Sequence, residues 1–84
     1  MTMIYTVDAF NRTDELLDFE IEIPKEKLPD ISMVMNWSAS DYNDFVAGLG
    51  GFDLREEQVK AIEDILNKRF FRDDLDFQIS SGEM

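Results

Sequence analysis

Leu17, Phe19, Ile21 and Ile23 alternate with Asp18, Glu20 and Glu22 until Pro24 ends the run. A period of two is the signature of a strand with one buried and one wet face. It also fixes register, because a slip by one residue would drive the carboxylate row into the core. Upstream, Met3 to Phe10 (MIYTVDAF) is rich in β-branched and aromatic residues, and the turn formers Asn11, Arg12, Thr13 and Asp14 follow it. Two strands joined by a short polar turn predict an antiparallel hairpin whose apolar face needs a helical cover.

The rest of the chain supplies that cover. Leu28, Ile31, Val34 and Met35 recur at three- and four-residue steps before Asn36-Trp37-Ser38, which predicts a short helix. Ser38 or Ser40 is placed to cap a second helix over Asp41 to Leu49, with Gly48, Gly50 and Gly51 available to end it. Asp53 followed by Glu56 resembles a capping box. Val59, Ile62, Ile65 and Leu66 then make an apolar stripe running to about Lys68. Asp76-Phe77-Gln78-Ile79-Ser80 alternates again and predicts a third strand beside the hairpin. The expected fold class is α+β: an antiparallel β-hairpin plus a C-terminal third strand, one face covered by two or three helices.

With 84 residues and no repeat or linker, residues 1–84 are expected to form a single compact domain around one core. That core has neither disulfides nor thiolate or imidazole metal ligands to help it, because the sequence contains no Cys and no His. A hydrophobic fraction of 44% with 12% aromatic residues argues against disorder. Met1 to Phe10 lacks a basic region followed by an apolar run, and no segment approaches the roughly 20 apolar residues that span a bilayer. The expected location is cytoplasmic.

Charge narrows the function. Nineteen acidic residues against eight basic ones give a net charge of −11, which repels nucleic acid and anionic membranes and speeds encounter with a basic protein. Direct nucleic-acid and membrane partners are therefore not expected. The same acidity also serves solubility alone.

Catalytic constellations are weak. A nucleophile needs a base, and without His or Cys the hydroxyls of Ser38, Ser40, Ser80 and Ser81 read as caps and strand-end groups. Carboxylate pairs such as Asp41 with Asp44 and Asp73 with Asp74 are expected by chance in so acidic a chain. The segments Asp41 to Asp44 and Arg72 to Asp76 offer hard oxygen ligands without the spacing of an EF-hand loop. Gly48-Leu49-Gly50-Gly51 lacks the lysine of a phosphate-binding loop. The reading is a non-enzyme with no cofactor and no resident metal.

Interaction chemistry remains, in three places. Asp18, Glu20 and Glu22 form either an ordinary solvated face or a flat negative surface for a basic cleft. Trp37, Asp41, Tyr42 and Asp44 combine aromatic and acidic groups as binding hot spots do, with core burial of Trp37 the competing reading. Asp73, Asp74 and Asp76 either neutralise Arg69 and Arg72 or face a partner.

Taken together, the opening IYTVDAFNRTDELLDFEIEIP, the segment ending DYNDF, FDLREEQVKAIEDIL and a last short strand resemble small bacterial toxin-immunity proteins. These guard cells against contact-dependent growth inhibition toxins or colicin-like nucleases. The resemblance lies in size, acidity and element order. It implies a stoichiometric inhibitor whose partner is a cognate toxin C-terminal domain, commonly a nuclease. Two other classes fit the same residues: an acidic nucleic-acid mimic that blocks DNA-binding proteins, and a non-catalytic adaptor subunit.

Overall fold

The computed structural model describes residues 2–83. The alternating segments pair as expected: β1 (Met3–Asn11) and β2 (Leu17–Glu22) form the antiparallel hairpin, with a register shift between Ala9 and Phe10. A 3-10 turn at Lys25–Lys27 leads into α1 (Leu28–Met35), then α2 (Ala39–Val46), β3 (Gly51–Leu54), α3 (Glu56–Leu66) and β4 (Leu75–Glu83). The sheet order is β2-β1-β4-β3, every neighbouring pair antiparallel, so the hairpin and the last strand are joined as expected in one α+β sheet.

The structure adds a fourth strand. Gly51 to Leu54 pairs with Ser80 to Phe77, although its residues read in sequence as a connector and a helix cap. Asp53 therefore lies in β3 and not at the start of α3. Arg55 is the residue at the helix N-terminus, and its backbone N–H donates to Gln58 Oε1 at 2.8 Å. The last strand is also longer than its alternating stretch, because Ser81, Gly82 and Glu83 continue the pairing along the start of β1.

Helix ends follow local chemistry. The Ser38 hydroxyl accepts the Asp41 N–H at 3.1 Å and starts α2. Gly48 closes it at φ +86°, where an added Cβ would lie within 2.5 Å of the Met3 side chain. Asn36 and Asn67 end α1 and α3 in the left-handed region, at φ 55° each. Asparagine tolerates that region better than most non-glycine residues.

All helices lie on one side of the sheet. Tyr5, Val7 and Ala9 of β1, with Leu75, Phe77 and Ile79 of β4, meet Leu28, Ile31, Phe45, Val59 and Ile62 from the helices. Two aromatic groups fill this layer. Phe45 is fully buried and stands 5.6 Å from Tyr5 and 4.8 Å from Trp37, which in turn is 5.0 Å from Phe52. Phe77 gathers Phe19, Phe70 and Phe71 at centroid distances of 6.3, 6.1 and 5.7 Å. The first group places Trp37 half-buried against the core. Its Nε1 is buried with no hydrogen-bond acceptor among the described residues.

No helix among the described residues is long and apolar enough to cross a membrane.

Candidate functional site

The other side of the sheet is open. Strand alternation sends Thr6, Asp8 and Phe10 of β1, Glu20 and Glu22 of β2, Asp53 of β3, and Asp76, Gln78 and Ser80 of β4 to this face. Register lines up Glu20, Asp8, Gln78 and Asp53 across the four strands, with Glu22, Thr6, Ser80 and Gly51 in the row beside them. Every charged residue in the four strands is acidic. Only Asp76 on this face has a basic partner among the described residues, Arg12 Nε at 2.8 Å. Glu20, Glu22 and Asp53 are exposed without an ion pair, so the face carries a negative field directed outward.

At its centre Asp8 is only 8% exposed. The Thr6 hydroxyl donates to Oδ1 at 2.7 Å and the Ser80 hydroxyl to Oδ2 at 2.6 Å, which satisfies the carboxylate where neighbouring side chains shield it from water. This aspartate is a structural part of the face, whereas Glu20, Glu22 and Asp53 are its free charges.

The sequence-derived candidates separate into three places. Glu20 and Glu22 lie together on the open face. Asp18, at the irregular end of β2, is drawn aside by Arg72 Nη1 at 3.4 Å, and the same guanidinium binds Asp74 at 2.7 Å. Of the two readings of Asp74, the structure shows the internal pairing with Arg72. Its hydrogen bond from Arg72 holds the Asp74 carboxyl below the usual aspartate range, and the same bond raises Arg72. Asp73 is exposed beside them without an ion pair among the described residues.

Trp37, Asp41, Tyr42 and Asp44 lie on the opposite, helical side. Asp41 is engaged in the α2 capping box, its Oδ2 accepting the Ser38 N–H at 3.4 Å. Tyr42 and Trp37 line a shallow groove of about 390 Å³ with Pro29, Ser32, Ser38 and Ala39. No single flat contact can cover both this groove and the hairpin acids, since the sheet stands between them.

Two residues of the open face escaped sequence reasoning. Asp8 sits in a β-branched run whose periodicity does not reveal which residue it opposes, and Asp53 is masked by the helix-cap pattern. Where β3 stops short of the start of β4, a notch of about 550 Å³ opens, with Asp53, Glu56, Asp73 and Asp76 on its walls and Val59 and Leu75 on its floor. Among the described residues, no group of three or more acidic side chains is gathered closely enough to hold a metal ion.

Fold and site define a small α+β domain with a four-stranded antiparallel sheet, helices on one face and an uncovered acidic face on the other. The chain belongs to a family described as a domain of unknown function (DUF7683), whose profile matches residues 4–80. That span runs from Ile4 in β1 to Ser80 in β4, and contains the acidic face. No curated protein and no solved structure matches the chain.

Proposed function

We propose that this chain is an immunity-type inhibitor: a non-catalytic protein that binds a basic toxin domain, a nuclease by preference, and blocks it in the cytoplasm at one-to-one stoichiometry. The observation that carries the reading is the open sheet face, where Glu20, Glu22 and Asp53 are solvent-exposed and unpaired among the described residues while all cover lies on the other side. A hydrogen-bonded four-stranded sheet with one bare face presents its side chains from a fixed backbone, and such pre-organisation lowers the entropy lost on binding.

Nuclease clefts are lined with Lys and Arg because they bind phosphate, so fixed carboxylates can occupy the same field in place of the substrate. The molecule measures 33 × 25 × 20 Å, which gives its broadest side a footprint comparable with the roughly 800 Å² that each partner contributes to a standard interface. Inhibition by coverage then needs no chemistry from the inhibitor.

The test is co-purification of the tagged protein from its native host, washed at about 0.5 M salt to screen long-range charge attraction. The expected result is one basic toxin C-terminal domain whose activity the protein abolishes at equal concentration. Recovery of many DNA-binding proteins that salt removes overturns the reading in favour of a nucleic-acid mimic, and recovery of a stable multi-subunit assembly overturns it in favour of an adaptor.

A further inference from the structure

We propose that the free edge of β2 is a second part of the docking surface, at which an extended, basic segment of the partner adds a fifth strand to the sheet. The inference rests on the inhibitor reading above, and names how the partner is held.

The sheet order leaves β2 and β3 as its edges. β3 has only four residues, Gly51–Leu54, while β2 offers six, Leu17–Glu22, with no proline to interrupt them. The orientation of the β2 backbone follows from one bond: the Ile23 N–H donates to the Tyr5 carbonyl at 2.7 Å, toward β1. Antiparallel pairing alternates, so Ile21 also directs its backbone groups to β1, and Glu22 and Glu20 direct theirs off the edge. Among the described residues, no backbone hydrogen bond from a loop or helix reaches residues 18–22.

Charge selects the occupant. Glu20 and Glu22 are the residues whose N–H and C=O groups face outward, and both side chains are exposed without an ion pair among the described residues. A second copy of this chain pairing through β2 would set two acidic rows against one another, which opposes self-association. A strand with Lys or Arg at alternate positions instead places each cation beside a glutamate while its amides take the free backbone groups. Leu17, 48% exposed at the start of the strand, gives such a segment an apolar contact where the acidic row ends.

A short peptide in which lysine and valine alternate tests this directly. At about 0.15 M salt it should bind the intact protein and slow amide hydrogen exchange at Glu20 and Glu22. The same peptide N-methylated at its lysines keeps its charge and loses the amides that face the edge, and should bind about tenfold more weakly. On the protein, Glu20→Gln removes the charge alone and Glu20→Pro removes charge and edge N–H together, so Glu20→Pro should lose more. Proline is tolerated on an edge strand when its missing N–H faces solvent, and far-UV circular dichroism checks the fold of that variant. If Glu20→Pro unfolds, the methylated peptide decides on the wild-type protein. Absence of peptide binding, equal affinity for the two peptides, or unchanged exchange at Glu20 and Glu22 overturns the strand-addition inference and leaves toxin capture standing. Failure to recover any toxin overturns the inhibitor reading whatever the peptide does.

Discussion

The Ser80 hydroxyl donates to Oδ2 of Asp8 at 2.6 Å, diagonally across the central strand pair β1 and β4, where Ser80 stands opposite Thr6 and Asp8 opposite Gln78. Because Asp8 is nearly buried on a face that no helix covers, this bond and the one from Thr6 are what make a carboxylate tolerable there. Removing a donor leaves part of a shielded charge unsatisfied. Ser80→Ala is predicted to destabilise the fold by about 2 kcal/mol, with Thr6→Val giving a loss of similar size, measured by urea denaturation. A loss well under 1 kcal/mol for both would mean that water already satisfies Asp8.

Glu63 plays a comparable part on the helical side. The residue is 5% exposed, and Oε2 accepts the N–H groups of Phe70 at 2.6 Å and Phe71 at 2.8 Å, which fastens the segment between α3 and β4 to the helix. Those two phenylalanines reach Phe77 only while the segment is held. Glu63→Ala should destabilise by about 3 kcal/mol and speed amide exchange at Phe70 and Phe71, while Glu63→Gln, which keeps an acceptor oxygen, should lose about half as much.

Phe45 is the largest fully buried side chain and the meeting point of Tyr5, Trp37 and Phe52. The Tyr5 hydroxyl adds a bond to the Val46 carbonyl at 2.9 Å, so β1 and α2 are joined by both packing and polarity. Phe45→Ala is expected to remove about 3 to 5 kcal/mol, close to the whole stability of a domain this small. Tyr5→Phe should remove about 1 kcal/mol. Thermal unfolding of the two variants distinguishes them.

The elements that sequence reasoning found are those whose local chemistry and tertiary role agree. The alternation in Leu17 to Ile23 and the stripe from Val59 to Leu66 each span enough residues to display a period, and Ser38 and Gly48 carry cap chemistry that does not depend on distant contacts. Gly51 to Leu54 was illegible because four residues cannot show a period, and because Asp53 and Glu56 happen to match the spacing of a capping box. The candidate site was half legible. Glu20 and Glu22 follow from one strand's own pattern, whereas Asp8 and Asp53 join them only through the register of four strands, which is long-range information. Asp41 and Asp74 are engaged locally, by the α2 capping box and by the Arg72 guanidinium, and for Asp74 the sequence leaves that pairing and partner contact equally open.

The Arg72 to Asp74 pair gives a pH prediction with a definite sign. Asp74 titrates below the ordinary aspartate range in the folded protein, chiefly through its hydrogen bond from Arg72. A carboxyl depressed on folding adds stability above its unfolded pKa and loses it as pH falls through its folded pKa. The effect is small because both side chains are more than half exposed. A carbon-13 NMR titration should find the Asp74 midpoint below the ordinary aspartate range, and Arg72→Gln should raise it toward that range. An unchanged Asp74 midpoint in that variant would show that Arg72 is not the cause.

The sheet separates two candidate surfaces, so variants on either side can decide which one a partner uses. Glu20→Lys with Glu22→Lys reverses two exposed charges that make no internal ion pair among the described residues, and should leave the fold intact. If the open face is the interface, this double variant weakens capture of the proposed basic partner by tenfold or more, because two attractions become repulsions. Tyr42→Ala empties part of the groove on the helical side, where Tyr42 is half-buried beside Trp37, and should change capture by less than about twofold. Both variants are read by titrating the recovered partner against each at constant salt, with melting curves alongside to separate binding from stability. The opposite pattern, intact capture after charge reversal and lost capture after Tyr42→Ala, would move the interface to the groove between α1 and α2 and leave the acidic face as a solvated surface.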